Sequence, residues 1–124
     1  MQPPIRIPEP HKCALWRTLP PENMHEILEE MEIYVDESHD RRCLLRCREC
    51  GQLYFYKFLE FVDYSDGEDP QYRTYIPVTC SEDAGILSTL PEWDIMKCAP
   101  SLHCDWPKGQ DRPRLFWLGR SKTP

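Results

Sequence analysis

The stretch RRCLLRCRECGQLYFYKF, residues 41–58, constrains this chain more than any other. Cys47 and Cys50 form C-x-x-C, with Gly51 directly behind. Two thiolates two residues apart can grip one ion from a tight turn, and a glycine permits the positive backbone angle at its end. Backbone amides in such a turn donate to the ligand sulfurs. Arg41–Arg46 reads as a strand with alternating faces, and LYFYKFLEFV is rich in the aromatic residues that favour sheets. A zinc-knuckle-like hairpin with CRECG at its turn is therefore expected. Thioredoxin-like redox chemistry would need the motif to open a helix within a βαβ unit, and no such alternation occurs.

A structural ion wants four ligands, and there is no second C-x-x-C. The remaining candidates are His11, Cys13, Cys43, Cys80, Cys98, His103 and Cys104. Cys13 is favoured because a ligand from before the first helix can close against the hairpin turn. His11, two residues away in HKC, can supply a fourth donor. Cys43 is close in sequence but about 13 Å from Cys47 along a regular strand. His103 and Cys104 are adjacent, so in an extended segment they point to opposite faces. The fourth ligand stays open among His11, Cys43, Cys98 and Cys104. Seven cysteines cannot all pair within one chain, and in a reducing compartment clustered cysteines serve more often as ligands than as disulfides. The competing reading is that they are small buried hydrophobes.

The other elements follow from pattern. Residues 1–10 hold four prolines and read as an extended arm on a single domain spanning 1–124. A helix is expected from about Pro21 to Met31, on the spacing of Met24, Ile27, Leu28 and Met31. YRTYIPV is a third strand, ended or placed at an edge by Pro77. SEDAGILSTL begins with a serine cap and early acids, which predicts a short helix, and a further helical turn starts at Pro91. RPRLFWLG is a closing strand. The expected class is α+β, a mainly antiparallel sheet with two or three helices.

Charge narrows the function. The net charge is −6, and binding to nucleic acid depends on neutralising phosphates with basic side chains, so nucleic acid is disfavoured. From Glu22 to Asp40 there are eight acids and no lysine or arginine. Glu26, Glu29 and Glu30 from this run, with Asp63, Asp66, Glu68 and Asp69 from the loop after the aromatic strand, would meet a basic protein partner. Such runs are commonly no more than solvated faces. The alternative is a nucleic-acid-binding or transcription-linked zinc ribbon that uses Arg41, Arg42, Arg46, Arg48 and the aromatic face of Tyr54, Tyr56 and Phe58. Those aromatics are more commonly core. No nucleophile signature, phosphate-cradling glycine loop or paired carboxylates appear, so no catalytic residue is assigned. The start lacks the regions of a signal peptide, and no run of about 18 apolar residues exists, so the cytosol is the expected location.

Across CRECGQLYFYKF, DGEDPQYRTYIPV and DWPKGQDRPRLFWLGR, and in HKCALW ahead of the helix, the chain resembles a group of small bacterial CxxCG-containing proteins of undefined function. The resemblance covers most of the chain and implies that Cys13, Cys47 and Cys50 belong together, with His11 a possible addition. By size and charge alone the chain also resembles immunity proteins of bacterial toxin systems. The expected role is a non-enzymatic acidic binding module with a structural zinc ion.

Overall fold

The computed structural model of the protein describes residues 5–17, 24–60, 70–107 and 112–119. Six strands form one sheet: β1 (Leu28–Glu37), β2 (Asp40–Cys47), β3 (Leu53–Glu60), β4 (Gln71–Val78), β5 (Ser101–Trp106) and β6 (Arg114–Leu118). They lie in sequence order, and every neighbouring pair is antiparallel. Among the described residues four short helices accompany them: α1 (Ala14–Arg17), α2 (Met24–Ile27), α3 (Ser81–Ser88) and α4 (Glu92–Ile95). The α+β class holds, with one more helix than expected. None of these helices is long and apolar enough to cross a membrane.

The helix expected over Pro21–Met31 is corrected. Only Met24–Ile27 is helical, and β1 begins at Leu28, opposite Cys47; Pro21–Asn23 lie outside the described residues. Met24 and Leu28 are buried, but Met31 is 48% exposed, so the apolar spacing does not continue as one helical face. What takes over is pairing. Ile33, Tyr34 and Val35 are strand-favouring types, and the acids before them find arginines across the ladder. The pairing carries shifts between Glu30 and Glu32 and between Ile33 and Val35.

Two further expectations change. Ser81 is the first residue of α3 rather than its cap; Cys80 holds the cap position without a side-chain hydrogen bond. SLHCDW is β5, and it places β4 inside the sheet. Pro77 is still tolerated there. The β4–β5 ladder stops at Tyr75↔Leu102, so Pro77 sits beyond the last partner on that side, where a missing N–H costs nothing.

Each face of the sheet carries its own core. One gathers Cys13, Leu15, Met24, Leu28, Cys47, Tyr54, Tyr75 and Leu102 beneath the N-terminal segment. The other gathers Leu44, Phe55, Ile76 and Val78 beneath α3 and α4, with Ala84, Leu87, Ile95 and Cys98. Tyr54 and Phe55, adjacent on β3, are both fully buried on opposite faces. Of the aromatics on this strand, Tyr54 and Phe55 are core and Tyr56 packs against it, while Phe58 is half-buried under Arg73.

The helix-side face also buries a polar row. Arg42, Lys57, Thr74 and His103 are consecutive partners across β2 to β5. Arg42 donates to Ser88 O at 2.7 Å and Leu90 O at 2.9 Å, satisfying carbonyls at the end of α3. His103 is 1% exposed, contacts Ser101 Oγ through Nε2 at 2.8 Å and stacks on Phe116. Burial holds its pKa below the ordinary 6.5, with nearby Asp105 only partly opposing. The unfolded chain therefore binds a proton there that the folded chain resists. The stability tied to neutral His103 is intact above pH 6.5 and is lost as pH falls towards the lowered value, at up to about 1.4 kcal/mol per pH unit. A His103→Gln variant should show a flatter stability curve below pH 6.5 in denaturant titrations; an unchanged slope would rule out His103 as its source.

Candidate metal centre

The turn between β2 and β3 forms as the motif demands. Cys47 N–H donates to Gln52 O and Gly51 N–H to Cys47 O, both at 2.8 Å, closing a tight loop over Arg48–Gln52. Gly51 has φ +82°, in the left-handed region that a side chain would strain. Arg48 N–H reaches Ile27 O at 2.8 Å, fixing the turn to the end of α2. The turn thus leaves Cys47 buried and Cys50 exposed.

Cys13 arrives from the N-terminal segment. Its N–H donates to Pro10 O at 2.9 Å, and α1 follows immediately. That short helix is anchored by β6: Trp117 Nε1 donates to Leu15 O at 2.8 Å, and Trp16 packs edge-on to Trp117 at 4.7 Å. Leu15 is fully buried, so the segment is held by packing across the same face that contains Cys47 and Tyr54. Packing delivers the thiol to the hairpin.

The result is a three-sulfur cluster. The Sγ atoms of Cys13, Cys47 and Cys50 all lie within 4.8 Å of one another. A tetrahedron built on Zn–S bonds of about 2.3 Å has edges of about 3.8 Å, so a small inward movement suffices to bind one ion. Burial works against charge on Cys47, but the amides of Cys50 and Glu49 and the thiols of Cys50 and Cys13 outweigh it and hold its pKa below the ordinary value. Cys13 behaves oppositely: burial pushes its thiol up to about 12 despite contacts from Tyr54 and the Leu15 amide. A cation among the three sulfurs would offset the cost of burying the thiolate and release the proton.

Tyr54 adds a feature that the motif did not disclose. Its side chain is fully buried, and its hydroxyl has no hydrogen-bond partner of full geometry among the described residues. The group it faces is the Cys13 sulfur, with Cys47 and Cys50 close behind. A buried orphan hydroxyl is costly, whereas a hydroxyl donating to a metal-bound thiolate is an ordinary outer-shell contact. The donor set and this hydroxyl both fit a soft or borderline cation. Tyr54→Phe should therefore leave the metal-free protein as stable or slightly more stable, and weaken metal binding roughly ten-fold. Equal metal affinity in the two proteins, measured by competition with a chromophoric chelator, would remove Tyr54 from the site. The register offered a sequence signal in retrospect, since Tyr54 pairs with Leu45 on the face that Cys47 shares.

The other expected site residues are placed elsewhere. His11 is not brought into the cluster: its ring lies edge-on to Trp16 at 5.6 Å, and Nε2 is 3.7 Å from Glu9. Cys43 is fully buried and receives Arg41 Nη1 at 3.8 Å. Cys98 lies on the opposite face, its thiol donating to Asp94 O at 3.5 Å. His103 and Cys104 do point to opposite sides of β5. Of the acidic residues, Glu26 is exposed on α2. Glu29 pairs with Arg46 and Arg48 at 3.5 and 3.2 Å, and Glu30 with Arg41. Asp63, Asp66, Glu68 and Asp69 lie outside the described residues.

No family model, curated protein or solved structure matches the chain.

Proposed function

We propose that this chain is a non-enzymatic protein-binding module in which a zinc ion, held by Cys13, Cys47 and Cys50, fastens the N-terminal segment to the hairpin turn. The observation that carries this reading is the convergence of three sulfurs from two distant stretches of chain. The ion would supply Lewis acidity that here serves cross-linking, its two positive charges offsetting most of the charge of three thiolates at the junction of two segments. Metal analysis of untagged protein, purified without chelator, tests it. About one zinc per chain, with three additional thiols becoming reactive on chelation, is the expected result. Metal-free protein whose thiols do not change on adding zinc would end the zinc reading.

The partner we propose is a basic protein, and neutralisation of a bacterial toxin is its sharpest form. The net charge of −6 supports this. The proposed contact residues are Glu26, Glu29, Glu30, Asp63, Asp66, Glu68 and Asp69; Glu29 and Glu30 face arginines across the sheet, which weakens their own long-range pull. Trp93, 67% exposed on α4 between Glu92 and Asp94, offers an aromatic anchor of the kind that dominates protein interfaces. Association should slow about ten-fold or more as salt rises from 0.05 to 0.5 M, because the Debye length shrinks. Salt-independent association rates would sink the electrostatic part.

The nucleic-acid alternative gains nothing from the arginines. Arg41, Arg42, Arg46 and Arg48 each meet a carboxylate, and Arg42 is also spent on the end of α3. A catalytic reading gains little from Ser101 and His103, whose contact resembles a nucleophile–base pair, since both are 1% exposed.

A further inference from the structure

Seven cysteines and four histidines are the whole supply of thiol and imidazole ligands in the chain, and all eleven lie among the described residues. Only three of them gather. His11 is engaged with Glu9 and Trp16, Cys43 with Arg41, and His39, bonded to Glu60 at 2.9 Å, sits at the opposite end of the β1–β2 ladder from Cys47. Among the described residues the donors are therefore three, where a closed structural site needs four.

The two sides of the sulfur triangle also differ. On the inner side stands the fully buried Tyr54, its hydroxyl aimed at Cys13. Cys13 and Cys47 are buried with it, while Cys50 is exposed at the tip of the turn. Among the described residues, Cys13, Cys47 and Tyr54 are buried, and the exposed Cys50 marks the side from which a bound ion is approached. A site with three protein ligands and one solvent-facing position has the layout of exchangeable or reactive zinc, not of a sealed cross-link.

We infer that the ion held by Cys13, Cys47 and Cys50 keeps one coordination position, beside Cys50, for a small exogenous nitrogen or sulfur donor that the chain does not supply. This rests on the metal reading above and goes beyond it. The ion cross-links the N-terminal segment and also offers a ligand-binding site of its own. Soft and borderline donors are the matching class, since thiolate-rich sites favour d10 cations that prefer such ligands.

Cobalt(II) loaded into the full chain under anaerobic conditions tests it, with free imidazole as the probe. Cobalt alone should give sulfur-to-metal charge-transfer bands together with visible bands of a near-tetrahedral ion. Millimolar imidazole should shift the visible bands saturably with one-site behaviour, while the charge-transfer intensity of three thiolates stays. His11→Ala and His25→Ala, the latter on the helix fastened to the turn, should leave the imidazole-free spectrum unchanged. Visible bands insensitive to imidazole would overturn the inference while leaving the metal site standing. So would a spectrum altered by either substitution, because the chain's own donor would then close the site. Absence of any thiolate–cobalt bands would sink both the inference and the metal reading beneath it.

Discussion

Chelating zinc from the loaded protein is expected to lower its melting temperature by roughly 12–20 °C. An ion present about 1,000-fold above its dissociation constant stabilises the fold by about 4 kcal/mol, and a domain of this size shifts by roughly 3–5 °C per kcal/mol. The effect should stop short of complete unfolding. Classical zinc fingers unfold without metal because the ion replaces a core they lack. Here Leu15, Trp16 and Trp117 hold α1 on the sheet independently of the sulfurs. Calorimetry with and without chelator measures the shift. Cys13→Ser, Cys47→Ser and Cys50→Ser should each abolish it. Cys43→Ser and Cys98→Ser should lower the baseline stability, since both residues are buried, yet keep the shift. A shift that survives Cys13→Ser would place the ion elsewhere.

The second large effect concerns a charge rather than a metal. Glu92→Gln is expected to destabilise the protein by about 2–3 kcal/mol, and Lys57→Met by less. Lys57 is buried to 2% exposure between Asp40, at 3.4 Å, and Glu92, which approaches from the start of α4. The acids keep 29% and 35% of their side-chain exposure. Removing Glu92 leaves a buried ammonium with weaker compensation, the costly way to break such a pair. Removing the lysine leaves two carboxylates that still reach water, and methionine keeps an unbranched apolar stem in place of the lysine's. Midpoints of guanidinium unfolding decide the order. If Lys57→Met proves the more damaging, the pair is a net source of stability and not a burial cost held in check.

The arginine and glutamate runs show why pattern reading stopped where it did. In sequence they are separate blocks, one acidic and one basic, and each suggested its own partner. Antiparallel pairing of β1 with β2 lays one block on the other, Glu29 opposite Arg46 and Asp36 opposite Arg41. Neither surface is then as charged as its sequence. The helix expected to end at Met31 failed for the same reason. Met24, Ile27 and Leu28 match a helical spacing locally, but β2 provides a ladder for Leu28–Glu37, and tertiary pairing overrides a propensity of a few tenths of a kcal/mol per residue.

The hairpin and its turn were legible because they are local. C-x-x-C-G sits between two strand-like runs, so neighbours in sequence are neighbours in space, and Gly51 takes the backbone angle that only its kind tolerates freely. The two-faced burial of Tyr54 and Phe55 followed from simple alternation. Sequence alone also pointed to Cys13 as a companion of the C-x-x-C pair, from its place ahead of the helix and from resemblance. Tertiary structure decided the rest. It carried Cys13 to the hairpin through the packing of Trp16 on Trp117, turned His11 aside and set the Tyr54 hydroxyl against the sulfurs. These are contacts between residues far apart in the chain. Their distances come from how two faces of a sheet are covered, a quantity no spacing within a motif can encode.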